Sequence, residues 1–416
     1  MRFFQWIAIV LAIIVALELK PVAGVVVDKF IKPFISRAIK ALKKLLGFVE
    51  HHKLKTAVIC LSSVLGLAIA IFAFFETRTY LSNKTSAWLD INEVGKNENY
   101  PVDMVYLWCE DNPERAQLRE EWKKKMGLVA RKISPEVMGK ARYVSNDELK
   151  YSLRSVEKYA PWVNKIYIIT DNQVPKWLNL KHPKIKIIDH KEIIPEDIRP
   201  VFSSVAIEYA IPNIPDLSEH FIYANDDMMF ANPVKKEDFF KNGKPIYIFS
   251  KSLPQKIAPC QNYLFTINSA YKLASSRFSK YKALRRESHH NIDPYVKSTM
   301  IEVNEKFKKE LYNTMRSRFR SNDDIQRIFY SYYAILNDKA YYKIQRRGYN
   351  MISYLTGKYQ RISDYFTIAD APKLKKSLQK LKMFCTNDMQ NVNDKHRQVY
   401  GLYMDEIFPE KSQFEK

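Results

Sequence analysis

The feature that most constrains the fold is a regular alternation of strand and helix patterns that begins at Val102. Short runs rich in β-branched and aliphatic residues predict strands, which cover residues 102–108, 165–170, 184–189 and 220–224. Apolar residues at helical spacing predict the intervening helices, which include residues 147–160 and 203–211. Because strands that alternate with helices form open sheets of parallel strands, the pattern predicts an α/β fold. From about Tyr271 onward the pattern predicts a mainly helical part.

Polar residues follow three of the predicted strands. Asp171 and Asp189 come at the ends of two strands, where capping and turn roles are the more common ones. Asn225, Asp226 and Asp227 follow the fourth strand, inside an apolar run. Burying two adjacent carboxylates is costly without a cation, and ligands of α/β sheets bind beyond the carboxyl ends of the strands. We therefore expect Asp226 and Asp227 to hold Mg²⁺ or Mn²⁺ together with substrate phosphates.

Glycine and cysteine usage excludes several common sites. The ten glycines are isolated, so the chain has neither a Walker loop nor a dinucleotide fingerprint. Phosphate recognition would then depend on a metal ion, Arg, Lys and helix N-termini, which suits a metal-clamped nucleotide diphosphate. The four cysteines are too scattered for a disulfide framework or a zinc site, and we expect free buried thiols.

Two apolar stretches precede the α/β pattern. Residues 57–75 are nineteen residues without a charge, close to the ~20 that span a bilayer, and predict a transmembrane helix. Residues 3–17 are shorter and fit a second span, an interfacial helix or a signal-peptide core. The lysine-rich segment between them predicts a basic amphipathic helix on anionic lipid, or else a solvated linker helix. These features divide the chain into a membrane-associated region, a linker and a catalytic domain, at 1–80, 81–100 and 101–416.

The formal charge of +22 favours anionic partners. Residues 20–55 supply +7 of it, which leaves +15 for the rest of the chain. No zinc-finger spacing or aromatic RNA-binding signature accompanies the charge, so we expect no nucleic-acid partner. Positive-inside counting would place the basic segment in the cytoplasm and the catalytic domain across the membrane. The lysine- and isoleucine-rich composition is typical of AT-rich bacterial genomes, and we expect a bacterial inner-membrane protein with its catalytic domain at the cytoplasmic face.

Two long segments of the chain closely resemble the second signature region of the Stealth family. The first is SNDELKYSLRSVEKYAPWVNKIYIITDNQVPKWLN at 145–179, and the second runs from VFSSVAIEYA to KKEDFF at 201–240. Shorter segments resemble the other three regions in the family's order, at 102–114, 289–326 and 384–415. The family includes bacterial capsular-polysaccharide sugar-phosphate transferases and the catalytic subunit of N-acetylglucosamine-1-phosphotransferase.

The resemblance implies a reaction and a fold. The reaction moves a sugar 1-phosphate from a nucleotide diphosphosugar to an acceptor sugar hydroxyl, forms a phosphodiester and releases the nucleoside monophosphate. The implied fold is an open Rossmann-like sheet, related to glycosyltransferases, that later helices complete. The implied partners are the nucleotide-sugar donor, an oligo- or polysaccharide acceptor of capsule or exopolysaccharide synthesis, and the membrane.

The resemblance also assigns residues to the site. Asn225, Asp226 and Asp227 match the acidic motif at the metal and diphosphate. His290 matches the histidine of the third region and is the expected general base, with the neighbouring His289 as the alternative.

Further matches lie downstream of the acidic motif, and one more candidate, which is not a family match, lies in the predicted helix at 147–160. Arg320 matches the third region's arginine and would hold phosphate oxygens, or else be a helix surface charge. Asn387 and Asp388 match an Asn-Asp pair that would contact donor and metal, with helix capping as the alternative for Asp388. Arg154 would meet donor phosphate or pair with a nearby carboxylate.

The chain departs from the family in the first region. The segment Cys109–Pro113 is one residue shorter than the usual pattern and lacks its glycine, so a glycine-dependent turn is not expected there. Two other functions stay open on the sequence alone. One is a metal-dependent glycosyltransferase that releases nucleoside diphosphate, and the other is a non-enzymatic membrane protein that binds anionic polymer.

Overall fold

The computed structural model describes seven ranges and a few isolated positions. The ranges are 98–127, 142–253, 261–278, 285–345, 361–368, 377–388 and 393–416, and the isolated positions are 87, 89, 94–96, 256, 257 and 374. The chain divides into the units Met1–Lys84 and Thr85–Lys416, and all described residues belong to the second. The predicted helices at 3–17 and 57–75 and the basic segment between them lie outside the described residues. Within those ranges, no helix is both long and apolar enough to cross a membrane.

The strands are numbered in chain order. They are β1 Val102–Leu107, β2 Ile166–Thr170, β3 Ile185–Asp189, β4 His220–Asn225, β5 Met228–Phe230, β6 Phe240–Lys241, β7 Lys244–Ser252, β8 Arg286–Ser288, β9 Asp293–Val296, β10 Tyr341–Ile344, β11 Arg361–Thr367 and β12 Leu381–Asn387.

The helices are numbered in the same way. They are α1 Pro113–Lys125, α2 Glu148–Tyr159, α3 His190–Ile193, α4 Ser204–Glu208, α5 Asn262–Arg277, α6 Lys297–Lys306, α7 Lys308–Met315, α8 Ile328–Leu336 and α9 Asp394–Ile407. Short 3₁₀ turns lie at Glu196–Ile198, Ile211–Asn213 and Lys236–Asp238.

The main sheet has five strands in the order β3-β2-β1-β4-β9. Strands β1 to β4 are parallel, as the alternating pattern predicts, and β9 joins antiparallel to β4. Residues on both faces of β1 are buried, which is typical of parallel sheets that are covered by helices on both sides. The predicted α/β fold is therefore confirmed. The predicted helix at 203–211 is shorter, because α4 ends at Glu208 and Pro212 lies in a 3₁₀ turn.

The prediction of a mainly helical part after Tyr271 is confirmed only in part, because the described helices of this part are accompanied by strands. This part contributes β9 to the main sheet, β8 and β10 to a second sheet around β7, and β11 and β12 to a third sheet with β5. Helices do occur in the two predicted segments, as α6, α7 and α8. The strands escaped prediction because none of them has a strict alternation of apolar and polar residues.

A buried carboxylate in β1 holds the amino-terminal edge of the main sheet. Asp103 is fully buried and accepts hydrogen bonds from Asn164 Nδ2 at 2.8 Å, from the Lys165 backbone N–H at 3.1 Å and from the Ser218 backbone N–H at 2.7 Å. Because three donors satisfy its two oxygens, the charge is tolerated in the core. Asp103 therefore joins the starts of β1, β2 and β4, and leaves the opposite edge to carry the functional residues.

Helix α2 joins the main sheet to the third sheet. Leu153 and Val156 pack into the core beneath the main sheet, whereas Tyr151 faces the cluster formed by β12 and α9. Its serines bond to β5: Ser152 Oγ donates to the Met228 carbonyl at 2.5 Å, and Ser155 Oγ accepts from the Phe230 backbone N–H at 3.0 Å. The middle of α2 is thereby held against β5.

Candidate active site

The acidic pair forms the turn between β4 and β5, at the carboxyl-terminal edge of the main sheet. Strand β4 ends at Asn225, and β5 begins at Met228, so Asp226 and Asp227 are the two turn residues. Strand β5 pairs with β12 in the third sheet, and the Thr386 backbone N–H donates to the Asp227 carbonyl at 2.9 Å. The two aspartates are half-buried. The turn therefore lies where the main sheet and the third sheet meet.

A third carboxylate, Glu148, joins the pair. It is the first residue of α2, is only 4% exposed, and accepts from the Asn146 backbone N–H at 2.5 Å and from Asn146 Nδ2 at 2.6 Å. Burial raises the pKa of Glu148 to about 8, and the charge of Asp226 is the next cause. A carboxylate whose pKa depends on Asp226 must lie close to it.

Burial and mutual repulsion also raise the pKa values of the pair. Burial raises the pKa of Asp226 to about 8, with the charge of Asp227 as the next cause. Burial likewise raises the pKa of Asp227 to about 7, although a hydrogen bond from the Cys385 thiol opposes this shift and Glu148 adds to it. The positive charge of Arg142 also opposes the raised pKa of Asp227. Three carboxylates lie beside that arginine, so the cluster still has an excess of negative charge.

The fourth-region pair lies next to this cluster. Asn387 ends β12, and Asp388 follows it. The Asn146 amide that holds Glu148 also donates to Asp388 Oδ2 at 3.4 Å. Asp388 is ion-paired with Arg397, whose Nε and Nη2 lie 3.0 and 3.3 Å from its two oxygens. Asp388 is therefore near the acidic cluster, but its charge is already balanced by an arginine; its role as a metal ligand stays a prediction.

The third-region histidines approach the same edge of the sheet. Strand β9 runs antiparallel to β4 with Asp293 opposite Tyr223, so the residues just before Asp293 lie beyond the carboxyl end of β4. His289 is 2% exposed, and its Nε2 lies 3.0 Å from Asp293 Oδ1. His290 is half-buried in the left-handed backbone region, with its Nδ1 3.2 Å from the Tyr263 hydroxyl. The more accessible His290 is thus better placed than His289 to act as a general base.

Arg320 also reaches this edge. Its Nη2 donates to the hydroxyl of Ser204, the first residue of α4, at 2.5 Å. Its positive charge lowers the pKa of Glu208 and of Tyr143, although burial raises both pKa values overall. Asp324 accepts from the Ser321 backbone N–H at 2.8 Å, and the charge of Arg320 opposes the rise in the pKa of Asp324 that burial causes. Arg320 therefore lies among residues of the second signature region, as a phosphate ligand would.

Arg154 forms an ion pair near the C-terminus of the protein. Its Nε and Nη2 each lie 2.8 Å from a different oxygen of Glu415, and its Nη1 donates to the Phe408 carbonyl at 2.7 Å. Arg154 and Glu415 are both buried, with side chains 9% and 5% exposed. The pairing with a carboxylate is thus the alternative that the structure favours, although its partner is Glu415. The role of Arg154 in donor binding stays a prediction without support from these contacts.

The single aspartates at the other strand ends have structural roles. Asp189 caps α3 by accepting from the Lys191 backbone N–H at 2.9 Å, which confirms the capping prediction. Asp171 is not a cap: it accepts from Arg115 Nη1 at 2.7 Å and ties α1 to the end of β2. In the first region, Asp111 is paired with Arg119 at 2.9 Å.

Two thiols flank the acidic turn. Burial, with Asp226 as the next cause, raises the pKa of the Cys109 thiol to about 12. Both Cys109 and Cys385 are free, and Cys385 is buried, as the cysteine pattern predicts for that residue. Because a thiol with a raised pKa stays protonated, Cys109 is not a nucleophile at neutral pH.

The residues present fit a divalent cation held between carboxylates. Asp227 Oδ1 is buried without a hydrogen-bond partner, and burial and mutual repulsion raise the pKa values of three carboxylates, although the charge of Arg142 opposes the shift at Asp227. In the described ranges, however, no three His, Cys, Asp or Glu side chains are arranged as a ready-made cage. A cation here would therefore take its remaining ligands from substrate phosphates or water, which is usual for Mg²⁺.

A cavity of about 430 Å³ opens at the opposite edge of the main sheet, among residues that include Tyr100, Trp162, Asn164 and Lys184. Its lining contains no carboxylate and no histidine. The Lys184 ammonium donates to the backbone carbonyls of Pro161 and Val163. Because general-base or metal chemistry needs groups that this cavity lacks, the acidic turn is the candidate active site.

Glu148 and Asn146 are the site residues that sequence reasoning missed. Both lie in the segment that resembles the Stealth family, yet an acidic residue in the first turn of a helix is common and carries no catalytic signal by itself. Only its burial beside Asp226 distinguishes Glu148.

Two family models match the chain. They describe Stealth protein conserved region 2, at residues 142–247, and Stealth protein conserved region 3, at residues 289–335. A capsular polysaccharide phosphotransferase of Haemophilus influenzae is 34% identical over 316 residues, which cover 72% of this chain and 81% of that relative. The chain belongs to the Stealth family.

Other similar proteins are also named as polysaccharide phosphotransferases. A receptor polysaccharide phosphotransferase of Streptococcus gordonii is 32% identical over 352 residues, covering 76% of this chain and 98% of the relative. An exopolysaccharide phosphotransferase of Lactiplantibacillus plantarum is 29% identical over 351 residues, covering 76% and 97%. The family and the enzyme class predicted from the sequence, a Stealth phosphotransferase, are confirmed by these matches.

Solved structures resemble the chain only distantly. The glycosyltransferase GlyE of Streptococcus pneumoniae TIGR4 has a TM-score of 0.33 and 11% identity, with coverage of 75% of this chain and 63% of that one. A galactosyltransferase, LgtC, solved with donor and acceptor sugar analogues, has a TM-score of 0.35 and 9% identity, with coverage of 74% and 95%. The assignment of this Stealth protein to its family rests on sequence.

Proposed function

We propose that this Stealth protein transfers a sugar 1-phosphate from a nucleotide diphosphosugar to a hydroxyl of a saccharide acceptor in surface-polysaccharide synthesis. The acceptor oxygen bonds to the phosphorus that carries the sugar, the bond between the two phosphates breaks, and the nucleoside monophosphate leaves. The observation that carries the proposal is the cluster of Glu148, Asp226 and Asp227 at the carboxyl edge of the sheet, where three carboxylates have raised pKa values. Ligands of open α/β sheets bind at this edge.

The acidic cluster is proposed to hold the cofactor. Asp226 and Asp227, with Glu148 beside them, would ligate Mg²⁺ or Mn²⁺, which neutralises diphosphate charge and stabilises the leaving monophosphate when bound. Metal binding requires these carboxyls to lose the protons that their raised pKa values retain. Asn387 and Asp388 complete the same edge of the site and are proposed to contact the donor.

The remaining groups act on the acceptor and the phosphate. His290 is proposed to accept the proton of the acceptor hydroxyl, with the Tyr263 hydroxyl holding its ring through Nδ1 at 3.2 Å. Arg320, whose guanidinium is held by Ser204, is proposed to bind the non-bridging oxygens of the transferred phosphate.

We further propose that the enzyme works at the bacterial inner membrane, with the catalytic domain at the cytoplasmic face. The support is the uncharged stretch at 57–75 and the basic segment before it. Protease digestion of membrane vesicles of known orientation shows on which face the catalytic domain lies. A domain on the outer face would contradict this arrangement.

The identity of the released nucleotide tests the proposed reaction. The purified full chain is incubated with Mg²⁺, an oligosaccharide acceptor and each of a panel of labelled nucleotide sugars. Release of nucleoside monophosphate with formation of a phosphodiester is expected, and Asp226→Asn and Asp227→Asn should abolish it. Glu196→Gln, an acid-to-amide change at an exposed position, serves as the matched control. Release of nucleoside diphosphate would instead identify a glycosyltransferase, and metal-independent polymer binding without turnover would identify a binding protein.

A further inference from the structure

A row of buried, hydrogen-bonded polar side chains leads from the core to Asn225, next to the acidic pair. Glu208 at the end of α4 is 5% exposed, and its Oε1 lies 3.0 Å from the hydroxyl of Tyr223, which is fully buried. The same hydroxyl lies 2.7 Å from Asn225 Oδ1. No other polar contact of the Asn225 side chain occurs among the described residues, so its Nδ2 is available to a ligand at the half-buried edge of the site.

The Tyr223 hydroxyl has too few hydrogens to donate in both of these contacts. A tyrosine hydroxyl has one hydrogen to donate, yet Tyr223 faces the carbonyl oxygen of an amide on one side and a carboxyl oxygen on the other. The shorter contact, 2.7 Å to Asn225, takes the hydrogen. The contact to Glu208 is then a hydrogen bond only if the Glu208 carboxyl carries a proton and donates it to the Tyr223 oxygen.

The contacts of Glu208 allow its carboxyl to carry a proton. Burial raises its pKa, although Arg327, Arg320 and the bond to Tyr223 oppose the shift, and Asp293 adds to it. The nearest cationic nitrogen, Arg327 Nε, lies 3.5 Å from Glu208 Oε1, which is beyond a good hydrogen bond. Arg327 donates through Nη1 to Asp293 at 3.0 Å instead, and Glu208 Oε2 has no hydrogen-bond partner.

We infer that Glu208 is a positioning residue that acts through Tyr223 to fix the orientation of the Asn225 amide. Glu208 donates to Tyr223, Tyr223 donates to Asn225 Oδ1, and the Asn225 amide therefore directs its Nδ2 hydrogens, rather than its oxygen, toward the acidic turn. An N–H donor at this place would bind an oxygen of the donor diphosphate, whereas a carbonyl oxygen would repel it. The inference rests on the proposed function, because the diphosphate is the proposed ligand.

Three variants test this relay, which is the path of hydrogen bonds from Glu208 through Tyr223 to Asn225. The KM for the nucleotide sugar and kcat are measured separately for each. Tyr223→Phe removes the hydroxyl and lets the amide rotate, so the donor KM should rise about 10-fold, the usual loss for one hydrogen bond to an anion. Glu208→Ala should do the same. Glu208→Gln should restore most of the loss, because its amide N–H can donate to Tyr223 as the protonated acid does. Thermal unfolding of each variant serves as the stability control.

The outcomes separate the inference from the proposed function. If the wild type releases no nucleoside monophosphate, the proposed function fails before the variants are compared. If the wild type is active and Glu208→Gln is as impaired as Glu208→Ala, then Glu208 is ionised and accepts, and the inferred direction of the relay is overturned. If Tyr223→Phe leaves the donor KM unchanged, or if the losses follow the loss of folded protein, Glu208 does not position Asn225.

Discussion

The affinity of the acidic cluster for a divalent cation should depend steeply on pH. Burial and repulsion raise the pKa of Glu148 and Asp226 to about 8 and that of Asp227 to about 7. At about pH 6 these carboxyls hold protons that a metal ion must displace, and each displaced proton changes the dissociation constant about 10-fold per pH unit. If Asp226 and Asp227 both ligate, the dissociation constant should fall about 50-fold between about pH 6 and pH 7, and level off above about pH 8.

The same shifts have a consequence for stability, with a definite sign. A carboxyl whose pKa is higher in the folded state contributes stability below its ordinary pKa, near ~4, and loses that contribution as the pH rises to the folded value. The metal-free protein should therefore become less stable between about pH 4 and pH 8 through this cluster. A cation at about 100 times its dissociation constant restores about 2.7 kcal/mol, or roughly 4 °C in Tm for a domain of more than about 300 residues.

Isothermal titration of Mg²⁺ or Mn²⁺ into the full chain, in buffers of different ionisation enthalpy, measures the protons released on binding. Thermal unfolding with and without the cation measures the stabilisation at each pH. Asp227→Asn removes one of the proposed ligands and should lower the number of released protons by about one, and Glu196→Gln should behave as wild type. A dissociation constant that does not change with pH, or equal binding by Asp227→Asn, would refute the assignment of the cation to this cluster.

Other variants address the remaining residues. Arg154→Met should lower the free energy of unfolding by about 3–5 kcal/mol, because it leaves Glu415 buried without its partner. The double variant with Glu415→Leu should recover most of this loss, and urea unfolding measures both variants. A raised donor KM at unchanged stability would instead assign Arg154 to the donor site. His290→Gln should lower kcat about 100-fold or more without changing Tm. His289→Gln should mainly lower Tm, because it breaks the buried contact with Asp293, and the reverse pattern would make His289 the base.

Much of the main sheet and one element of the site could be predicted from the sequence. The parallel strands are encoded by local runs of apolar residues, and the acidic pair stands out because two adjacent carboxylates interrupt such a run. The strands of the C-terminal part could not be predicted in this way. Strand β12 owes its place to pairing with β5, more than 150 residues earlier in the chain.

The distinction between site and scaffold also depends on distant contacts. Arg154 and Asp388 are both candidate donor-binding residues from the sequence, yet Arg154 is held by Glu415 near the C-terminus, while Asp388 shares the Asn146 amide with Glu148. Neither arrangement has a local sequence signal, because each joins residues more than 200 positions apart.

The sequence by itself determined the α/β class, the family and the acidic motif at the end of β4, because these depend on short patterns and on their order along the chain. The tertiary structure alone decided that Glu148 joins Asp226 and Asp227, that His290 rather than His289 is accessible, and that Glu208 reaches Asn225 through Tyr223. The physical reason is that burial, charge balance and hydrogen-bond direction arise only when separate elements pack together.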